Sequence, residues 1–157
     1  MKICLLGSMR FLPQKKMISK YLESLGHEVQ YSNQDAHKMK HFNEWKLKLM
    51  RKHIRRIEWS DIVLIVNLPR QRDIDHWVES YIGSNTLGEI FIAWYLGKNL
   101  YSWFEIPEEH PYFEELDCME ITTWEPKALC KHSEDEYSVL CGNYSICNIC
   151  KNVKKIT

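Results

Sequence analysis

Five consecutive residues near the middle of the chain, Ile62, Val63, Leu64, Ile65 and Val66, are all β-branched or leucine. A strand this apolar leaves no side for water, so both of its faces must be covered. Sheets of that kind are parallel and lie between layers of helices. The run occupies residues 61–67, from Asp61 to Asn67, and is far too short to span a bilayer. It fixes the fold class before any other segment is read.

The flanking segments fit the same plan. Residues 2–6 are apolar and stop at Gly7-Ser8, which reads as a buried strand meeting a tight turn. Pro13 suits the first position of a helix, and Ile18, Tyr21, Leu22 and Leu25 then recur at helical spacing until Gly26. Residues 27–31 predict a second strand, and 32–40 a polar loop. Phe42, Trp45, Leu49, His53 and Ile57 mark one face of a second helix. Residues 68–83 read as a long polar loop, and 84–96 as a third helix closed by Gly97-Lys98. Residues 99–104 give another strand, and 119–122 a weaker one. Asp61 is expected to cap or end a connection. Alternation of strand and helix predicts an α/β fold: a Rossmann/flavodoxin-like doubly wound parallel sheet of four to five strands. A domain over residues 1–126 and a small cysteine-rich C-terminal extension over 127–157 are expected.

Composition removes several function classes. The chain has 157 residues, enough for one domain with its own core, and 45% of them are hydrophobic. Lys plus Arg, at 21, equals Asp plus Glu, at 21, so net charge does not direct the chain to nucleic acid or anionic membrane. The start Met1-Lys2-Ile3-Cys4-Leu5-Leu6-Gly7 lacks the pattern of a signal peptide. A reducing, cytoplasmic setting is therefore expected, with the six cysteines free or metal-bound.

Ligands of doubly wound sheets bind beyond the carboxyl ends of the strands, where strand order reverses. That rule selects the turn Gly7-Ser8-Met9-Arg10-Phe11 and the segment from Asn67 to Glu89. In the turn, glycine permits close backbone approach, and a hydroxyl with a guanidinium suits phosphate or carboxylate. An ordinary turn with a surface arginine explains the same residues. Neither a dinucleotide-binding glycine fingerprint nor a P-loop is present. In the segment Tyr81-Ile82-Gly83-Ser84-Asn85-Thr86-Leu87-Gly88-Glu89, three polar residues are competent to begin a helix whose free N–H groups face a ligand. Glu89 follows Thr86 at the spacing of a capping box, or else projects into the pocket as a reactive carboxylate. His53 is either a satisfied core histidine or a pocket-facing proton donor.

Taken together, Gly7-Ser8-Met9-Arg10-Phe11, His53 to Ile57, residues 60–67, and Tyr81-Ile82-Gly83-Ser84-Asn85-Thr86-Leu87-Gly88-Glu89-Ile90 resemble the nucleoside 2-deoxyribosyltransferase-like superfamily. The likeness spans residues 2–126. It is closest to small members with a G-S-M-R-F turn and a Y-I-G-x-x-T-x-x-E-I helix start, and it extends to deoxynucleoside 5′-monophosphate N-glycosidases. The resemblance implies that Glu89 is the nucleophile that attacks the anomeric carbon, expels the base and forms a glycosyl ester. It implies phosphate binding by Ser8, Arg10 and Ser84. His53 and Asn67 would then position sugar or base, with Tyr81 and Phe11 walling the pocket. Gly7, Met9, Gly83 and Asn85 complete the expected substrate-binding set. Self-association is also implied. The chain departs from the superfamily in carrying His53 where an aspartate is usual on the second helix, and Asn67 where an acidic or polar residue is favoured.

Beyond Pro126 the composition changes. Cys130, His132, Cys141, Cys147 and Cys150 crowd together, and Cys147-x-x-Cys150 has the form of one zinc knuckle. Cys130, Cys141, Cys147 and Cys150 are the expected ligands of a structural zinc, with unpaired cysteines in a peripheral hairpin as the alternative. Cys4 and Cys118 are expected in the core. The function expected is cleavage or transfer of an N-glycosidic bond of a nucleotide, a nucleoside 5′-monophosphate rather than a free nucleoside. The rival is a nucleotide-sensing module of the same fold.

Overall fold

The computed structural model describes residues 1–33, 42–73, 76–124, 137–141, 144–147 and 153–155. Of the expected loop at 32–40, residues 34–40 lie outside the described residues, as do Cys130, His132 and Cys150.

The strands β1 (Lys2–Leu6), β2 (Glu28–Tyr31) and β3 (Ile62–Ile65) appear where the apolar runs place them. The helices α1 (Leu12–Ser24) and α2 (Phe42–Trp59) connect them. The expected loop after β3 instead contains a hairpin of β4 (Arg70–Asp73) and β5 (His76–Val78). Its charged residues hid it: the pairing is antiparallel with a register shift, and its alternation is not apolar against polar. Then follow α3 (Ser84–Tyr95), β6 (Asn99–Ser102), a short α4 (Phe113–Asp117) and β7 (Thr122–Thr123).

Five strands form one sheet in the order β2-β1-β3-β6-β7, and every pairing in it is parallel. Renumbered by sheet strands alone, this is the flavodoxin-like order 2-1-3-4-5, whose switch point lies between the first and third strands. The register is set at its base by Asp61, which accepts from Lys2 N at 2.7 Å while its own N–H donates to Lys2 O at 2.8 Å. Cys4, Leu6, Val63, Ile65 and Leu100 share one cluster with Ile57 of α2, Ile90 and Ala93 of α3, and Leu116 of α4. This alternation is what a strand covered on both faces requires.

Both long loop-forming glycines end their helices as expected. Gly26 (φ +84°) and Gly97 (φ +67°) adopt the left-handed conformation. The N–H groups of Gly26 and His27 bond to Glu23 O and Leu22 O, and those of Gly97 and Lys98 bond to Trp94 O and Ala93 O, a Schellman pattern at each end.

The chain divides into two compact units, residues 1–68 with 79–124, and residues 69–78 with 125–157. The second contains the hairpin and a three-stranded antiparallel sheet of β8 (Tyr137–Cys141), β9 (Tyr144–Cys147) and β10 (Val153–Lys155). No described helix is long and apolar enough to cross a membrane. Cys4 is buried as expected, but Cys118 is exposed, because it lies just past α4 with its thiol directed to Glu115 O.

Candidate active site

The turn that follows β1 is forced by packing. Gly7 has φ +139°, and a Cβ there would lie 2.8 Å from Val66 O, so only glycine lets β1 and β3 end side by side. Ser8 accepts from Arg10 N at 3.3 Å and caps a single 3₁₀ turn, Met9–Phe11. Arg10 projects into solvent, and its guanidinium has no partner among the described residues. Phe11 is buried and meets Tyr81 edge-on, with ring centroids 6.1 Å apart. This contact spans the switch point and brings the two sequence segments together. The Tyr81 hydroxyl in turn packs on Gly83, 3.2 Å from where a Cβ would stand.

The start of α3 differs from the capping-box expectation. Gly83 is the N-cap, in extended conformation, with no side-chain cap bond. Ser84, Asn85 and Thr86 therefore fill the first turn, whose N–H groups lack a side-chain acceptor. Ser84 and Asn85 are exposed, whereas Thr86 is buried. With the cap three residues earlier than Thr86, Glu89 has no box to close and reaches across to α2.

There it meets His53. The Nδ1 of His53 lies 2.5 Å from Glu89 Oε1. His53 is only 4% exposed, and the Glu89 side chain 19%. The imidazole fixes one carboxylate oxygen, while Oε2 has no hydrogen-bond partner among the described residues. The other ring nitrogen, Nε2, is buried and also without a partner there. Buried polar atoms are almost always satisfied, so this nitrogen beside an oriented carboxylate calls for a water or a ligand atom as its partner.

Asn67 is held within the fold. Its Nδ2 donates to Ser80 Oγ (2.8 Å) and Phe104 O (2.7 Å), and its Oδ1 accepts from Phe104 N at 2.9 Å. Both amide hydrogens are thus engaged within the protein, and the side chain clips the end of β3 to the segment after β6. Burial lowers the pKa of His110, opposed by a hydrogen bond from its ring to the Ser80 backbone.

Sequence reasoning missed Lys15. It is 0% exposed, and its ammonium donates to Gly7 O at 3.0 Å and contacts Met9 Sδ at 3.9 Å. Burial pulls it down from 10.5 to about 8, against the raising effect of Glu89 and Cys4. The Cys4 thiol is pushed up to about 12, by burial first and by Glu89 second. Arg56 is lowered by burial, with Cys4 and Glu89 opposing. Lysine at this helical position looks like ordinary surface charge. The one hint in the sequence is that it sits one turn before Ile18 and Ser19, which are buried on the same helix.

The described residues thus define an α/β domain of flavodoxin-like strand order, with a histidine-held carboxylate between α2 and α3. The chain matches no protein-family model and no curated protein. Among solved structures it is similar to one described as a 2-deoxyribosyltransferase from the psychrotolerant bacterium Bacillus psychrosaccharolyticus. The identity is 22%, the TM-score 0.48, and the match covers 69% of this chain and 77% of that one.

Proposed function

We propose that the protein cleaves or transfers the N-glycosidic bond of a nucleoside 5′-monophosphate, with Glu89 as nucleophile. One observation carries this reading: Glu89, in the first turns of the helix that follows β3, has one oxygen held by a buried histidine and the other unpartnered among the described residues. In the reaction, Oε2 bonds to the anomeric carbon as the carbon–nitrogen bond breaks. The base leaves with the electron pair and takes up a proton from solvent. Water or a second base then attacks the anomeric carbon, releasing the sugar and returning Glu89 as a carboxylate. His53 orients the carboxylate, and its free Nε2 receives a polar atom of the substrate. Arg10, Ser8 and the uncapped start of α3 at Ser84 and Asn85 suit a phosphate. The motif likeness at Gly7–Phe11 and Tyr81–Ile90 points the same way. The rival reading, a nucleotide sensor, draws on Asn67, whose amide is committed to the fold.

Base release from a panel of ribo- and deoxyribonucleoside 5′-monophosphates and nucleosides, followed by chromatography, tests the proposal. Release from a monophosphate, lost in Glu89→Gln, is expected. Ligand binding without release, with or without an acceptor base present, establishes the sensor instead.

Two further elements belong to this reading. Phe91, Trp94 and Tyr95 recur at helical spacing on α3 and are exposed, Tyr95 at 84%, which suits burial against a second copy of the chain. In the tail, Cys130, Cys141, Cys147 and Cys150 would hold a structural zinc. Cys141 ends β8 and Cys147 ends β9, and no metal-binding cluster of three or more such residues exists among the described side chains. Metal analysis of the purified full chain, expected near one zinc per chain, decides the point.

A further inference from the structure

The balanced totals of the chain conceal a local excess of charge. Between Glu44 and Glu58, residues 45–57 hold six lysines and arginines and no aspartate or glutamate. Four of the six, Lys48, Arg51, Lys52 and Arg55, are exposed on α2. Their spacing stacks them on one face of the helix, opposite His53 and Ile57, through which α2 is buried. None of the four cations pairs with a carboxylate among the described residues. Like charges at these spacings repel along the helix, so negative charge brought from outside is favourable there.

Apolar side chains border the same face. Trp45 lies on one rim, and Leu47 and Met50 lie on the other, all three of them exposed. Lys48 Nζ stands over the Trp45 ring, 5.3 Å from its centroid, so an aromatic plane and a cation are presented together. This combination selects the partner. A nucleic acid offers a dense row of phosphates but no hydrocarbon at its outer rim. A bilayer of anionic lipid offers phosphates at its surface and hydrocarbon just beneath, where tryptophan and leucine side chains gain by burial.

We propose that the outer face of α2 docks the protein on an anionic lipid surface. The four cations lie among the phosphate headgroups and hold the helix along the plane of the membrane, while Trp45 and Leu47 enter the boundary with the acyl chains. His53 lies on the buried side of the same helix, so docking by the outer face leaves the reaction assigned to Glu89 untouched.

The test sediments the full chain with vesicles of phosphatidylcholine, alone or with about one-third phosphatidylglycerol. Binding is expected to the anionic vesicles only, and should weaken at least about tenfold when salt rises from about 0.1 to about 0.5 M. Arg51→Gln with Lys52→Gln should weaken it about 25-fold, since each cation at such a surface is worth about fivefold. Lys16→Gln with Lys20→Gln removes the same charge from exposed positions on α1 and should change binding by less than about twofold. Brominated acyl chains should quench the tryptophan emission of the natural chain, and Trp45→Phe should abolish that quenching. The lipid and salt comparisons use the natural chain, so they decide the point even where a variant unfolds. No binding to anionic vesicles, equal weakening by the two α1 substitutions, or no quenching each overturns the proposal. A single-stranded DNA oligonucleotide that displaces the chain from the vesicles at equal phosphate concentration overturns it too and assigns the face to nucleic acid.

Discussion

Lys15 and Cys4 show how burial sets the chemistry of single residues. Because the Lys15 value lies below its unfolded one, the associated stability is present above pH 10.5 and is lost as pH falls through about 8. At pH 7 the natural chain therefore carries the full cost of the buried charge, which the fall from 10.5 to about 8 puts at roughly 3 kcal/mol as an upper bound. Urea denaturation of Lys15→Met is expected to show a stabilised protein at pH 6.5 and a gap that closes towards pH 10.5. Cys4 has the opposite sign. Its thiol is favoured in the fold, its stabilisation is complete below pH 9 and disappears as pH rises through about 12. Reactivity follows the thiolate, so iodoacetamide at pH 8.5 should label exposed Cys118 and leave Cys4 unmodified in the native protein, as read by peptide mass mapping. Labelling of Cys4 at a comparable rate would contradict its burial. Asn67→Ala strands Phe104 N and O and the Ser80 hydroxyl, and should cost about 2–4 kcal/mol by urea titration. None of these environments is visible in the sequence. Asn67 reads there as a polar residue at a strand end, equally suited to ligand or clip, and its three bonds to Ser80 and Phe104 arise only once β3 and β6 lie side by side.

At the level of elements, local signals were most reliable where a short stretch satisfies itself. Gly26 and Gly97 end α1 and α3 because each closes a pair of backbone bonds within six residues. Gly97→Ala forces a side chain into φ +67°, although nothing lies within 4 Å of the added carbon, so the expected cost is backbone strain of about 1 kcal/mol. Thermal unfolding should record it as a few degrees. Lys98 adds a link the pattern does not show: its ammonium donates to Glu58 O (2.9 Å) and Ser60 O (2.6 Å), closing the end of α2 from the end of α3. The helical stripe on α2 was only half informative. His53 and Ile57 are buried, but Trp45 remains exposed among the described residues. The hairpin of β4 and β5 escaped the sequence reading for a related reason, since a charged hairpin has no apolar period to detect.

Across the whole molecule, exposed Phe91, Trp94 and Tyr95 form the one aromatic stripe of α3 that the fold leaves uncovered among the described residues. If a second copy covers it, the double variant Trp94→Glu, Tyr95→Glu should lower the mass measured by light scattering to that of one chain. An unchanged mass would put any interface elsewhere. The sequence by itself determined the layered α/β class, a parallel sheet of four to five strands, the helix-ending glycines and the two segments that meet at the switch point. Those depend on hydrophobic period and backbone conformation, which neighbouring residues settle. Tertiary structure alone decided that Glu89 pairs with His53, 36 positions away, that Asn67 is a clip, and that Lys15 is buried under the Gly7 turn. Each of those outcomes depends on which groups the folded sheet brings within hydrogen-bond reach and shields from water. That shielding is a property of the packed whole, because a lysine or glutamate in an isolated helix keeps its hydration and its ordinary chemistry.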